Sequence, residues 1–86
     1  MPELSRFFGV IITLYYDDHG PPHFHVRYAE QKAIIAVESA TVLEGYLSPR
    51  ALGLVLEWTV AHRQELMADW ELARKQQPLN RIAPLE

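Results

Sequence analysis

The hydrophobic period changes once along this chain, at Ser48-Pro49, and that change limits the folds open to it. Before it, apolar residues alternate with a period of two, as in half-buried strands; after it they recur every three to four residues, as on one side of a helix. Strands followed by helix, without alternation between them, give an α+β architecture rather than a parallel βαβ sheet. The 86 residues make a single domain, 1–86. Its expected parts are strands over about 7–47, helix over about 49–77 and a tail over 78–86.

The strand half reads as an antiparallel meander of three to four strands. In "FFGVIITLYY", Phe7 to Tyr16, the even positions Phe8, Val10, Ile12, Leu14 and Tyr16 are all apolar, which predicts one strand with its even face buried. "HFHVRY" places Phe24, Val26 and Tyr28 on one face and His23, His25 and Arg27 on the other. "KAIIAVE" and "TVLEGYL" supply the remaining strands, with turns at Glu30-Gln31 and Ser39-Ala40. Opposed residues of an antiparallel pair share a face. Tyr15 and Thr13 are therefore expected near His25 and Arg27, a phenol beside an imidazole.

Ser48 and Pro49 suit the cap and first position of a helix. At 100° per residue, Leu52, Val55, Trp58, Thr59, His62, Leu66 and Trp70 gather on one side, and Glu57, Gln64, Glu71 and Lys75 on the other. About 29 helical residues would span ~43 Å, whereas a compact domain of this length is only about 30 Å across. The amphipathic helix must then break or overhang its sheet. An overhang would be covered by a second chain, with Trp58, Trp70, Tyr46 and Arg63 as partner-binding anchors. The tail "PLNRIAPLE" carries Leu79, Ile82 and Leu85 at three-residue spacing and is expected to lie back on the domain as an extended arm.

Titratable chemistry concentrates in "DDHGPPHFHV", Asp17 to Val26. Its prolines, glycine and aspartates suit a stiff turn. Histidines two apart on a strand point to one side, so His19, His23, His25 and Asp18 form a candidate metal site. It would suit Zn or another divalent transition metal. His23, His25, Arg27 and Tyr15 form a candidate catalytic set without metal, in which an imidazole exchanges protons and Arg27 holds a phosphate. The remaining reading of the histidines is the solvated face of an edge strand. His62, near the middle of the apolar side, reads as a core histidine with a local partner or as a neighbour of the strand histidines, and Arg50 as a solvated first-turn cation or an anion contact at the helix start.

Composition narrows the function classes. The absence of cysteine rules out disulfides and thiolate sites. A formal net charge of −3 and the lack of a helix-turn-helix pattern argue against nucleic-acid binding in isolation. No signal peptide or membrane-length apolar run is visible, so a cytoplasmic location is expected.

The segments "SRFFGVIITLYYDDHGPPHFHVRYAEQKAIIAVES", "LEGYLSPRALGLVLEWTVAHRQELMADWELA" and "PLNRIAPLE" resemble the small bacterial family catalogued as domain of unknown function 4160. That resemblance transfers no catalytic residue. It implies a companion protein of the family domain of unknown function 2442 and a toxin–antitoxin-like pair. The chain is then expected to be a protein-interaction component acting by binding its partner, a homodimer being the other assembly. A small histidine-dependent ribonuclease or hydrolase and a metal-binding regulator are the alternatives.

Overall fold

Alternating burial organises the strand half as the sequence predicts, with Val10, Ile12, Leu14, Phe24, Val26 and Ile35 all in the core. A computed structural model describes residues 2–16 and 19–86. Five antiparallel strands lie side by side in chain order: β1 (Glu3–Phe7), β2 (Val10–Thr13), β3 (His23–Tyr28), β4 (Gln31–Ala36) and β5 (Val42–Gly45). Two helices follow, α1 (Pro49–Ala61) and α2 (Arg63–Arg74). The fold is α+β, with one strand more than the expected three to four.

The extra strand comes from a hairpin inside "FFGVIITLYY". Phe7 pairs with Val10 across a two-residue turn, Phe8-Gly9, with φ of 48° and 86°. Positive φ at both turn positions matches the natural twist of a hairpin, but a phenylalanine there is sterically unusual. Phe8 is thereby lifted out of the even face and left 59 % exposed. The single strand expected over residues 7–16 is thus two, and Tyr16, beyond β2, is also exposed. Tyr16 donates its hydroxyl hydrogen to the Gln77 carbonyl.

The helix breaks. His62 sits at φ −122° and ψ 25°, outside helical geometry, between helices of 13 and 12 residues. Two pieces of roughly 20 and 18 Å fit a molecule of 33 × 25 × 22 Å, so no overhang needs a second chain. At the break the His62 side chain makes no capping bond to the backbone of α2; its Nδ1–H donates instead to the Glu65 carboxylate at 2.6 Å. Pro49 occupies the first helical turn as expected, but the Ser48 side chain makes no capping bond. The Ser48 N–H instead donates to the Gln31 side-chain oxygen at 2.8 Å.

Both tryptophans, expected as partner anchors, belong to the chain's own core. Trp58 is fully buried and packs on Phe7 and Phe24, with ring centroids 5.5 and 5.9 Å away. Trp70 is buried beside His23. The cause is the break, which lets each half-helix bring its apolar side to the same sheet face. Arg63 is half-buried: its Nε–H donates to the Val37 carbonyl at 3.1 Å, fastening the start of α2 to the residue that follows β4.

The tail returns to the domain as expected. Ile82 is buried, and its N–H donates to the Leu4 carbonyl at 2.8 Å on the outer edge of β1. The Trp58 indole N–H reaches the Ala83 carbonyl at 2.9 Å, and the Asn80 N–H reaches Asp69 Oδ1 at 2.9 Å. Arg81 joins Arg6 on the Glu3 carboxylate. The Arg6 hydrogen bond holds that carboxyl below its ordinary range, with help from Arg81.

Asp69 was not foreseen as a core residue. It is buried, and its Oδ2 has no hydrogen-bond partner among the described residues. Burial pushes its carboxyl up, the Asn80 N–H opposes this, and the Glu65 charge adds to the rise. The folded state then holds the proton more tightly than the unfolded chain. The resulting stabilisation is complete at acid pH and is lost as pH rises through the folded-state value. Asp69→Asn keeps an oxygen for Asn80 and cannot ionise. Its urea midpoint is expected to exceed that of the parent at pH 7, with the difference shrinking on acidification; a lower midpoint at pH 7 would contradict this.

Gly45 carries a second strong constraint. Its φ is +88°, and a Cβ there would lie 2.3 Å from the Lys32 carbonyl oxygen. Gly45→Ala is expected to cost about 2 kcal/mol or more, from left-handed strain plus a backbone clash. Denaturant titration checks it; a loss under ~0.5 kcal/mol would show that β5 yields freely.

Candidate functional site

The helices cover one sheet face and leave the other bare. The bare face is ordered by strand register. Thr13 lies opposite His25, His25 opposite Ile34, and Ile34 opposite Glu44. In the next row Arg6 lies opposite Ile11, Ile11 opposite Arg27, and Arg27 opposite Lys32. Together these rows floor a shallow trough of about 570 Å³ that reaches from β2 to β5.

Tyr15 leaves β2 and places its ring against His25, with centroids 4.2 Å apart and planes at 89°. The expected phenol–imidazole neighbours are therefore together, and Arg27 lies two residues along the same strand. Tyr15, His25 and Arg27, three of the four candidate catalytic residues, line the trough.

His23 is placed differently. It begins β3, its ring lies 5.5 Å from that of His25 and 5.0 Å from that of Trp70, and it is 8 % exposed. Its Nδ1 is 2.8 Å from the Pro21 carbonyl oxygen, which can only accept, so Nδ1 carries the hydrogen. His23 is a wedge between turn, sheet and α2 rather than part of the trough floor. His19 is exposed at the far side, in a shallow depression beside Trp70 and Arg74. Asp18 and Asp17 lie outside the described residues. Among the described residues no three His, Asp or Glu side chains gather as a metal site. Arg50 is exposed, as expected of a solvated cation.

Lys32 is the member of this face that the sequence reading missed. A turn at Glu30-Gln31 pairs Arg27 with residue 34. The actual turn is Ala29-Glu30, with Ala29 at φ 53°, and it pairs Arg27 with Lys32. The missing signal was weak because alanine seldom adopts a left-handed angle. The consequence is two like charges directly opposed on neighbouring strands. Arg6, in the same row, is held by Glu3 at 2.7 Å. Neither Arg27 nor Lys32 makes a side-chain hydrogen bond or ion pair among the described residues. Opposed like charges destabilise a sheet, so this pair weakens the free protein while concentrating positive potential over the trough.

Such a face can bind an anion between the two cations. It can also exchange a proton through His25, the one imidazole on the trough floor, beside the Tyr15 phenol.

Fold and site define a small α+β protein built on a five-stranded meander with one working face left open. The chain belongs to the family described as domain of unknown function (DUF4160), which matches residues 9–71. No curated protein and no solved structure matches it. Among the described residues no helix is long and apolar enough to cross a membrane.

Because Lys32 repels Arg27, Lys32→Glu is expected to stabilise the free protein by about 0.5 kcal/mol. The gain should fade as salt rises, since both groups are exposed. Denaturant titration at low and high salt measures it, and a destabilised variant would mean that Lys32 already has a favourable partner.

Proposed function

We propose that this chain is the interaction component of a two-protein, toxin–antitoxin-like bacterial module. It acts in the cytoplasm by binding a small protein of the family domain of unknown function 2442. The observation that carries this reading is the contrast between the two edges of the sheet. At β1 the returning tail takes the Leu4 carbonyl and Arg81 bonds the Glu3 carbonyl and carboxylate. At β5 all four residues are exposed, among them Val42 at 39 % and Leu43 at 50 %, and Tyr46 just beyond is 63 % exposed.

An uncovered apolar edge is usually blunted by lysine, proline or a covering segment; β5 itself contains neither lysine nor proline. Such an edge accepts an extended strand from another protein, main-chain bonds giving affinity and alternate side chains giving selectivity. Of the expected partner anchors Tyr46 is fully on the surface and Arg63 half-buried, and an exposed tyrosine beside Leu43 suits the centre of a small interface. This reading requires no catalysis by the chain.

Co-expression with the neighbouring protein of that family and size-exclusion chromatography test it. A 1:1 complex is expected, with Tyr46→Ala weakening it about 30-fold (~2 kcal/mol at an anchor) and Leu43→Lys dissolving it. Free monomers of both proteins would overturn the reading. So would a complex indifferent to both substitutions, or a homodimer of this chain that Leu43→Lys dissociates.

A further inference from the structure

The like-charged pair on the bare face is the feature that neither the core nor the partner edge explains. Arg27 and Lys32 are exposed and opposed across β3 and β4. Directly opposed side chains lie about 5 Å apart at Cβ, a spacing at which two cations share one oxyanion. Arg6 shows what neutralisation looks like in this row, since Glu3 holds it. The row's remaining two cations are left for an outside anion.

Distance along β3 adds a second element. His25 lies two residues from Arg27, about 7 Å along the strand, and Tyr15 fixes its ring edge to face at 4.2 Å. Between and beside them Ile11, Thr13 and Ile34 line the trough, and Glu44 stands at its β5 end, where its charge confines an anion to the Arg27–Lys32 row. An anion site flanked at that distance by a rigid aromatic pair and apolar side chains suits an ion joined to a flat, unsaturated ring. A free inorganic anion would use only the cations. An acidic peptide would leave the aromatic pair without a counterpart. A nucleotide uses both, through its phosphate and its base. The two rows each cross four strands, from Arg6 to Lys32 and from Thr13 to Glu44, about 14 Å at the spacing of neighbouring strands, which is longer than one nucleotide and suits a strand laid along the face.

We infer that the bare sheet face binds single-stranded nucleic acid, with Arg27 and Lys32 on a backbone phosphate and the Tyr15–His25 pair against an unstacked base. Open antiparallel sheets use the same division of labour elsewhere, cations following the backbone and aromatic rings taking the bases. The net charge of −3 does not oppose this, because a local pair of cations within a Debye length of the strand decides the contact. The site lies on the face, not on the β5 edge. It stands whether or not the protein partner binds there.

Fluorescence anisotropy on the full chain, with a labelled 12-nucleotide single-stranded RNA and the matching DNA, tests the inference. Titrations at 50 and 200 mM salt are expected to show saturable binding of at least one strand, and the pair of probes identifies which backbone is preferred. Arg27→Gln with Lys32→Gln should weaken binding tenfold or more. It should also flatten the salt dependence by about 1.4 in log–log slope, two phosphate contacts' worth. Tyr15→Ala should weaken binding several-fold and leave that slope unchanged. Arg74→Gln with Lys75→Gln removes the same charge from the end of α2 and should change nothing. Circular dichroism of each variant confirms that it is folded. Absence of saturable binding to both strands overturns the inference. Equal loss in the Arg74/Lys75 variant, or equally tight binding of an oligoglutamate of matched charge, also overturns it. None of these outcomes depends on the partner experiment.

Discussion

Trp58 joins the three parts of this molecule. Its ring packs on Phe7 of β1 and Phe24 of β3, and its indole N–H holds the Ala83 carbonyl of the tail. Sheet, first helix and tail therefore meet on one side chain. A buried tryptophan fills a large volume and still needs a partner for its N–H; the tail supplies that partner. Once the tail is drawn to this point, Ile82 falls beside Leu4 and covers the edge of β1. Covering one face and one edge leaves the opposite face and the opposite edge as the accessible surfaces. The location of both candidate surfaces follows from what Trp58 holds in place.

The sequence announced some of this and concealed the rest, for identifiable reasons. Alternation in "HFHVRY" was unambiguous, and it correctly assigned Phe24 and Val26 to the core and His25 and Arg27 to the other face. The apolar side of the helical half was equally clear, since Val55, Trp58, Thr59, Leu66 and Trp70 are all buried. The hairpin at Phe8-Gly9 was hidden because a bulky apolar residue occupies a turn position that usually goes to asparagine or aspartate. Its neighbours continued the strand pattern around it. The break at His62 left no proline or glycine to mark it, and the length of the segment against the size of the domain called only for a break or an overhang.

The histidines show how far a face assignment can be carried. His23 and His25 share parity and were expected to share an environment. Parity fixes which way a strand residue points, but not what stands over it. His23 is at the first position of β3, where Trp70 and the Pro21 carbonyl close around it, whereas His25 lies where the sheet is bare. Treating the two as one pair would mix a packing residue with a surface residue. A similar distinction separates Tyr46, which remains outside, from Trp58 and Trp70, which share its aromatic character but sit inside.

Gly45 gives the edge strand a property that its length alone would not. Short edge strands at a sheet margin slip easily, and a slip of one position exchanges the two faces. Here the Lys32 carbonyl occupies the space where any β-carbon at position 45 would stand. Moving Glu44 or Tyr46 into that place would drive a side chain into the backbone of β4. The absence of one atom thus fixes the phase of β5. Any strand that lies along this margin takes its phase from the same point, so Glu44 stays on the trough side and the margin presents a single face to whatever joins it.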